Sequence, residues 1–194
     1  MLTRTILGPA LLALAIAQTA QLPDAREALR LGRTQDDAIF TAFAKGYSLS
    51  PADPVTSAEI VTEFRRAVLI VREHAQRGEF GFTERDLDVA MKPHLGRVSF
   101  IVQVSLHPLN TYAKVPAYDL YISTGPATPP IAGKTLAREA QYATGGPGGA
   151  LIGVRLEMTV PRAEIAAAAA PELVVTDERA DVVWRRPLDL SRFR

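Results

Sequence analysis

The sequence predicts an α+β domain in which N-terminal helices pack on one face of a C-terminal antiparallel sheet of about five strands. Two observations carry this prediction. Apolar residues recur at helical spacing between residues 24 and 95, whereas from residue 96 to about 190 they alternate with polar residues at a period of two. Helices and strands that are segregated along the chain are typical of this class. A small β-sandwich with a helical appendage is the alternative architecture.

The first residues predict a signal peptide rather than part of the fold. Residues 1–17 combine the positive charge of Arg4 with an apolar run of about a dozen residues, which is shorter than the roughly 20 needed to span a bilayer. The run ends in Ala-Ile-Ala, the small-x-small pattern of a signal peptidase site. We expect cleavage to leave Gln18 as the N-terminus, with a cut after Ala20 as the alternative. Residues 18–194 then form a single domain, exported to the periplasm or the medium of a bacterium.

Composition excludes several classes of function. The chain has no cysteine, which rules out disulfides, thiolate metal sites, thiol nucleophiles and a lipid-modified cysteine at the signal boundary. The formal net charge is +1, and removal of residues 1–17, which hold one arginine and no acid, leaves a neutral chain. A neutral protein has no overall attraction to nucleic acid or to anionic lipid, so we expect neither as a partner. No later segment is apolar and long enough to predict a transmembrane helix.

The strongest helical pattern covers residues 57–76. Thr56 and Glu59 have the spacing of a capping box, which predicts that the helix begins there. Apolar residues, among them Ile60 and Phe64, follow at helical intervals. We expect this helix to lie on the apolar face of the sheet.

Shorter helices are predicted on either side of the long one. The first ends at Gly32, and the second begins at Thr34 as its N-cap. A further helix begins at Thr83 and ends before Pro93.

Period-two alternation predicts the strands of the β part. The expected strands cover residues 97–107, 118–123, 151–160, 172–176 and 181–186. The last two form a hairpin that turns at residues 177–180. Between the strands, residues 125–149 predict a long loop or a short helix, and residues 161–171 predict a short alanine-rich helix framed by prolines.

The stretch HPLNTYAKVPAY, residues 107–118, is the candidate ligand-binding segment. Much of it reads as a turn between neighbouring strands, because proline keeps the preceding residue extended and asparagine suits a turn. A turn does not explain why so many polar and aromatic side chains collect there, and loops on a rigid sheet often carry binding residues. The candidate binding residues are His107, Asn110, Tyr112, Lys114 and Tyr118.

Motifs for other chemistries are missing from the sequence. The three histidines, His74, His94 and His107, include no pair spaced i, i+4, so we predict no metal site and no cofactor. The glycine-rich run at residues 144–153 lacks the spacing of a phosphate-binding loop. No GxSxG motif marks a nucleophilic serine, and we predict no catalytic residue.

The leading functional hypothesis is therefore an exported, non-enzymatic module that binds a protein or a small ligand. The alternative is a hydrolase-type enzyme that uses carboxylates together with His107, which requires a pocket where a histidine meets a carboxylate. A third hypothesis is an apolar ligand buried between sheet and helices. It would contact Phe64, Phe100 and Leu156, positions where ordinary core packing is the simpler explanation.

Overall fold

The computed structural model describes residues 24–107, 115–125, 128–133, 136–143 and 149–193, and these form five α-helices and two antiparallel sheets. The predicted α+β class is confirmed. The helices are α1 (Ala25–Gly32), α2 (Asp37–Lys45), α3 (Glu63–Gln76), α4 (Glu84–Met91) and α5 (Arg162–Ala166). The strands are β1 (Ser48–Leu49), β2 (Val55–Val61), β3 (Arg97–Ser105), β4 (Asp119–Ser123), β5 (Leu136–Tyr142), β6 (Leu151–Pro161), β7 (Glu172–Thr176) and β8 (Val182–Pro187).

The larger sheet has five strands in the order β1-β2-β3-β6-β5, and the smaller sheet has three in the order β4-β7-β8. The centre of the larger sheet is the long β3–β6 pair, in register from Arg97 opposite Pro161 to Ser105 opposite Gly153. The strands expected at residues 118–123, 172–176 and 181–186 form the smaller sheet, so the β part is divided between two sheets.

One continuous core joins the two sheets. Alternate residues of β3 and β6 are buried on one face of the larger sheet, and they belong to the same core as the inward side chains of the smaller sheet. Arg138 of β5 donates to the carbonyl of Tyr118 at 2.7 Å, and Arg186 of β8 donates to the carbonyl of Ser50 at 2.9 Å. The two edges of the smaller sheet are thus tied to opposite edges of the larger one.

The prediction of one long helix from residue 57 is wrong in its first part, because residues 55–61 form strand β2. Thr56 and Glu59 lie on this strand, so the capping box does not exist. The physical reason is the β-branched content of the segment, since valine, isoleucine and threonine favour strands. Ala58 and Ile60 point into the core opposite β3. One residue, Thr62, separates the strand from α3, and its hydroxyl caps the helix by accepting the Arg65 N–H at 3.3 Å.

The ends of two other helices show how well capping signals locate a helix. The predicted start at Thr83 is confirmed, because Thr83 and Asp86 form a capping box at the start of α4. The predicted cap at Thr34 is wrong, since α2 begins after Asp36, whose carboxylate accepts the Ala38 N–H at 2.8 Å. The Thr34 hydroxyl instead accepts the N–H of Asp36 at 3.3 Å.

Residues 125–149 contain strand β5 in their described part, where a loop or short helix was expected. Its sequence, LAREAQY, has helix-favouring residues, and pairing with β6 from Leu136 opposite Met158 onward overrides that preference. The hairpin at residues 177–180 is confirmed: the carboxylate of Asp177 accepts the N–H groups of Arg179 at 2.9 Å and of Asp181 at 3.0 Å.

Candidate functional site

The predicted binding segment connects the two sheets rather than neighbouring strands of one sheet, because β3 belongs to the larger sheet and β4 to the smaller. His107 is exposed just beyond β3, and Tyr118 is half-buried against the core just before β4. Asn110, Tyr112 and Lys114 lie outside the described residues. The structure thus places two of the five candidates, and the binding role of this segment stays a prediction.

The other two histidines lie apart from that segment. His74, near the end of α3, faces the carboxylate of Glu79 through Nδ1, and its ring stacks on Phe82 with centroids 3.9 Å apart. Burial lowers the pKa of His94, and the nearby charges of Arg66 and Arg97 lower it further. Within the described ranges, no group of three or more histidine, aspartate or glutamate side chains is arranged to hold a metal ion.

A polar network covers part of the face of the larger sheet that points away from the core. Arg66 of α3 donates to Ser99 at 3.1 Å and to Glu157 at 3.4 Å, and Arg155 donates to Glu157 at 2.8 Å. The hydroxyl groups of Ser99 and Thr159 are 2.7 Å apart. These groups satisfy one another, so the network fixes the first turn of α3 on the sheet and leaves little unused binding capacity.

A pocket of about 520 Å³ lies at one end of the smaller sheet, and we call it the strand-end pocket. A row of three paired residues crosses this end: Ser123 closes β4, Glu172 opens β7 and Pro187 closes β8. Arg185 lies two residues before Pro187, so its side chain points to the same face. Leu173, which follows Glu172 in β7 and therefore points to the opposite face, is buried in the core. The row therefore lies on the outer face of the sheet.

The wall of the strand-end pocket comes from the segment that follows α5. Ala169, Ala170 and Pro171 line the pocket together with Leu188. The N–H of Leu188 donates to the carbonyl of Pro171 at 2.8 Å, and this bond holds the chain after β8 against the segment before β7. Proline suits this position because its fixed φ is compatible with an extended entry into β7. The wall is therefore apolar and fixed by the backbone.

Three residues with polar side chains complete the lining of the pocket: Ser123, Glu172 and Arg185. Within the described part of the chain, none of the three side chains makes a hydrogen bond or an ion pair. Glu172 and Arg185 occupy diagonal positions on β7 and β8, which sets their α-carbons roughly 7–8 Å apart. A carboxylate and a guanidinium thus extend from neighbouring positions of one sheet face without pairing with each other, and both remain available to a ligand.

Sequence reasoning missed the strand-end pocket, which lies at the opposite end of β4 from the predicted segment. The candidate segment leads into Asp119, whereas the pocket is built around Ser123, roughly 13 Å further along the strand. The strands that carry the pocket were predicted, and the outward direction of Glu172 and Arg185 follows from their alternation with buried neighbours. Glu172 and Arg185 become neighbours only through the pairing and register of β7 and β8, which the sequence alone does not reveal.

Comparison with protein-family models, with curated proteins and with solved structures gives no significant match to this chain. None of the helices formed by the described residues combines the length and the apolar character needed to cross a bilayer.

Proposed function

We propose that this chain is an exported, non-enzymatic binding module that holds a small polar ligand in the strand-end pocket. The observation that carries the proposal is the convergence of a hydroxyl, a carboxylate and a guanidinium on one apolar-walled pocket. Small-molecule sites commonly combine an apolar lining with a few polar groups that fix the ligand's orientation.

The dimensions of the pocket support a small ligand rather than a folded partner. Its volume of about 520 Å³ falls within the roughly 300–1,000 Å³ typical of small-molecule sites. The segment after α5 and the end of β8 are joined by a backbone hydrogen bond, so the walls are largely preformed. A preformed site loses less conformational entropy when it binds.

The hydrolase alternative would need a histidine that meets a carboxylate, and His74 contacts the carboxylate of Glu79. A histidine held by a carboxylate is a common general base. Nε of Arg77 also forms an ion pair with the Glu79 carboxylate at 3.2 Å, and Phe82 stacks on the imidazole ring of His74. These contacts explain the pair as the closure of the turn after α3, and we therefore place binding ahead of hydrolysis.

The test is a native mass spectrum of the protein purified from its own host. We expect an added mass of a few hundred daltons at most, in keeping with the size of the pocket, and we expect a chelator to leave it in place. The double variant Glu172→Ala/Arg185→Ala should lose this mass because both charged groups of the pocket are gone.

The matched control is Glu178→Ala/Arg179→Ala, which removes the same two charges from the exposed turn of the same hairpin. This control should keep the added mass. An unliganded wild-type protein, or a mass that survives in the pocket variant, contradicts the proposed site.

Export is tested by the intact mass of the same protein. The proposal expects a chain that begins at Gln18, or at Gln21 if cleavage follows Ala20, because the first residues have the pattern of a signal peptide. A chain of full length that stays in the cytoplasmic fraction contradicts export and leaves the pocket to be judged by its own experiment.

A further inference from the structure

We infer that the ligand of the strand-end pocket is a small zwitterion, an amino acid or a short peptide, whose carboxylate binds Arg185 and whose ammonium group binds Glu172. This inference rests on the proposed function and names the chemistry of the ligand. The juxtaposition behind it is a carboxylate and a guanidinium on diagonal positions of one sheet face, beside an apolar wall.

The two charges determine which ligands fit. A simple anion that pairs with Arg185 approaches the negative charge of Glu172, and a simple cation at Glu172 approaches Arg185. A ligand that carries both signs a few bonds apart satisfies both groups at once. A guanidinium offers a planar set of donors that matches a carboxylate, and an ammonium group donates three hydrogen bonds of the kind a carboxylate accepts.

The neighbouring residues leave room for the rest of the ligand. Ser123, in line with Glu172 across the sheet, adds a hydroxyl that both donates and accepts. Ala169 and Leu188 present an apolar surface beside the charged pair, which suits an apolar side chain. A free amino acid and a short peptide share this chemistry, and they differ in length and in the distance between their charges.

The test is an NMR titration of the isotope-labelled mature protein with L-leucine and L-alanyl-L-leucine, each also supplied in an N-acetylated and a C-amidated form. We expect the unblocked form of at least one of them to shift the amide signals of Glu172 and Leu188. Blocking either end should weaken binding about ten-fold, since each block removes a charge-assisted hydrogen bond. The stronger binder of the two unblocked probes identifies the free amino acid or the peptide as the source.

The variants separate the two ends of the ligand. Arg185→Gln should bind the C-amidated and the free-acid probes equally, whereas it should still discriminate against N-acetylation. Glu172→Gln should show the converse selectivity, and Arg179→Gln, on the exposed turn, should behave as the wild type. Unfolding or general damage would weaken every probe alike and would not exchange the selectivities.

Equal binding of blocked and unblocked probes overturns the zwitterion inference, and so does the lack of binding by all of them. Neither result removes the proposed function by itself. If the host-derived mass is still lost in the pocket variant, the pocket binds a ligand of another class. If no such mass exists either, the proposed function fails as well.

Discussion

The buried ion pair between Arg65 and Glu59 gives the sharpest prediction about stability. The Arg65 side chain is 5% exposed, and its Nε donates to Glu59 at 2.6 Å, while the Glu59 side chain is 28% exposed. The guanidinium carbon lies 5.2 Å from the ring centroids of both Phe40 and Phe43. Nη1 of Arg65 is buried and has no hydrogen-bond partner among the described residues. Within the same residues, Glu59 is the only carboxylate that forms an ion pair with the Arg65 guanidinium.

The perturbation is Glu59→Gln, which removes the negative charge and keeps the shape. Arginine does not lose its proton in proteins, so the substitution leaves a positive charge buried among aromatic rings. Breaking a buried pair by removing one partner costs about 3–5 kcal/mol. Because Glu59 keeps some contact with water, we expect the low end, about 3 kcal/mol, which corresponds to roughly 6–12 °C in melting temperature for a chain of this size.

The reverse substitution, Arg65→Met, should cost less, about 1–2 kcal/mol, because methionine fills the apolar space and the carboxylate left behind is nearer to water. The double variant Arg65→Met/Glu59→Gln should be about as stable as Arg65→Met alone. Urea unfolding followed by the fluorescence of the buried Trp184 measures all four proteins. A Glu59→Gln variant within about 0.5 kcal/mol of wild type, or a double variant as unstable as Glu59→Gln, refutes this reasoning.

Three further predictions concern stability, each followed by the same urea unfolding. Thr62→Ala should cost about 1 kcal/mol because Thr62 caps α3, whereas Thr56→Ala, on an exposed part of β2, removes only the 3.3 Å hydrogen bond from its hydroxyl to the Gln103 carbonyl and should cost about 0.5 kcal/mol; a smaller effect at Thr62 than at Thr56 would contradict the observed helix start. Gly32→Ala should cost about 1–2 kcal/mol because a Cβ there lies 2.6 Å from Cβ of Val71, and Gly81→Ala, with nothing within 4 Å, serves as the open control. The lowered pKa of His94 means that the folded protein binds fewer protons than the unfolded chain as the pH falls below about 6.5, so stability should decline there. His94→Gln should reduce that decline between pH 7.5 and pH 5.5, and an unchanged slope would contradict the role of this group.

Local signals located many elements correctly. Alternation over residues 97–107 and 151–160 identified the central strands, because burial of one face imposes a period of two. The helix start at Thr83 was predicted because the capping hydrogen bonds that fix it are local in sequence. In each case the sequence pattern depends on contacts within the element itself or on the burial of one of its faces.

Tertiary pairing explains the elements that were missed. Residues 55–61 share their apolar spacing with the helix that follows, so their β-branched content alone did not decide between helix and strand, and pairing with β3 does. Strand β5 has a helix-favouring sequence and exists because β6 offers an edge to it. The strand-end pocket was missed for the same reason, since Ser123, Glu172 and Arg185 are distant in sequence and meet only through strand register.

The most direct test of the binding function is a crystal structure of the protein purified from its own host, without added ligand. We expect electron density for a small molecule in the strand-end pocket, in contact with the guanidinium of Arg185 and the carboxylate of Glu172. Ordered water alone in this pocket would contradict the proposed binding site.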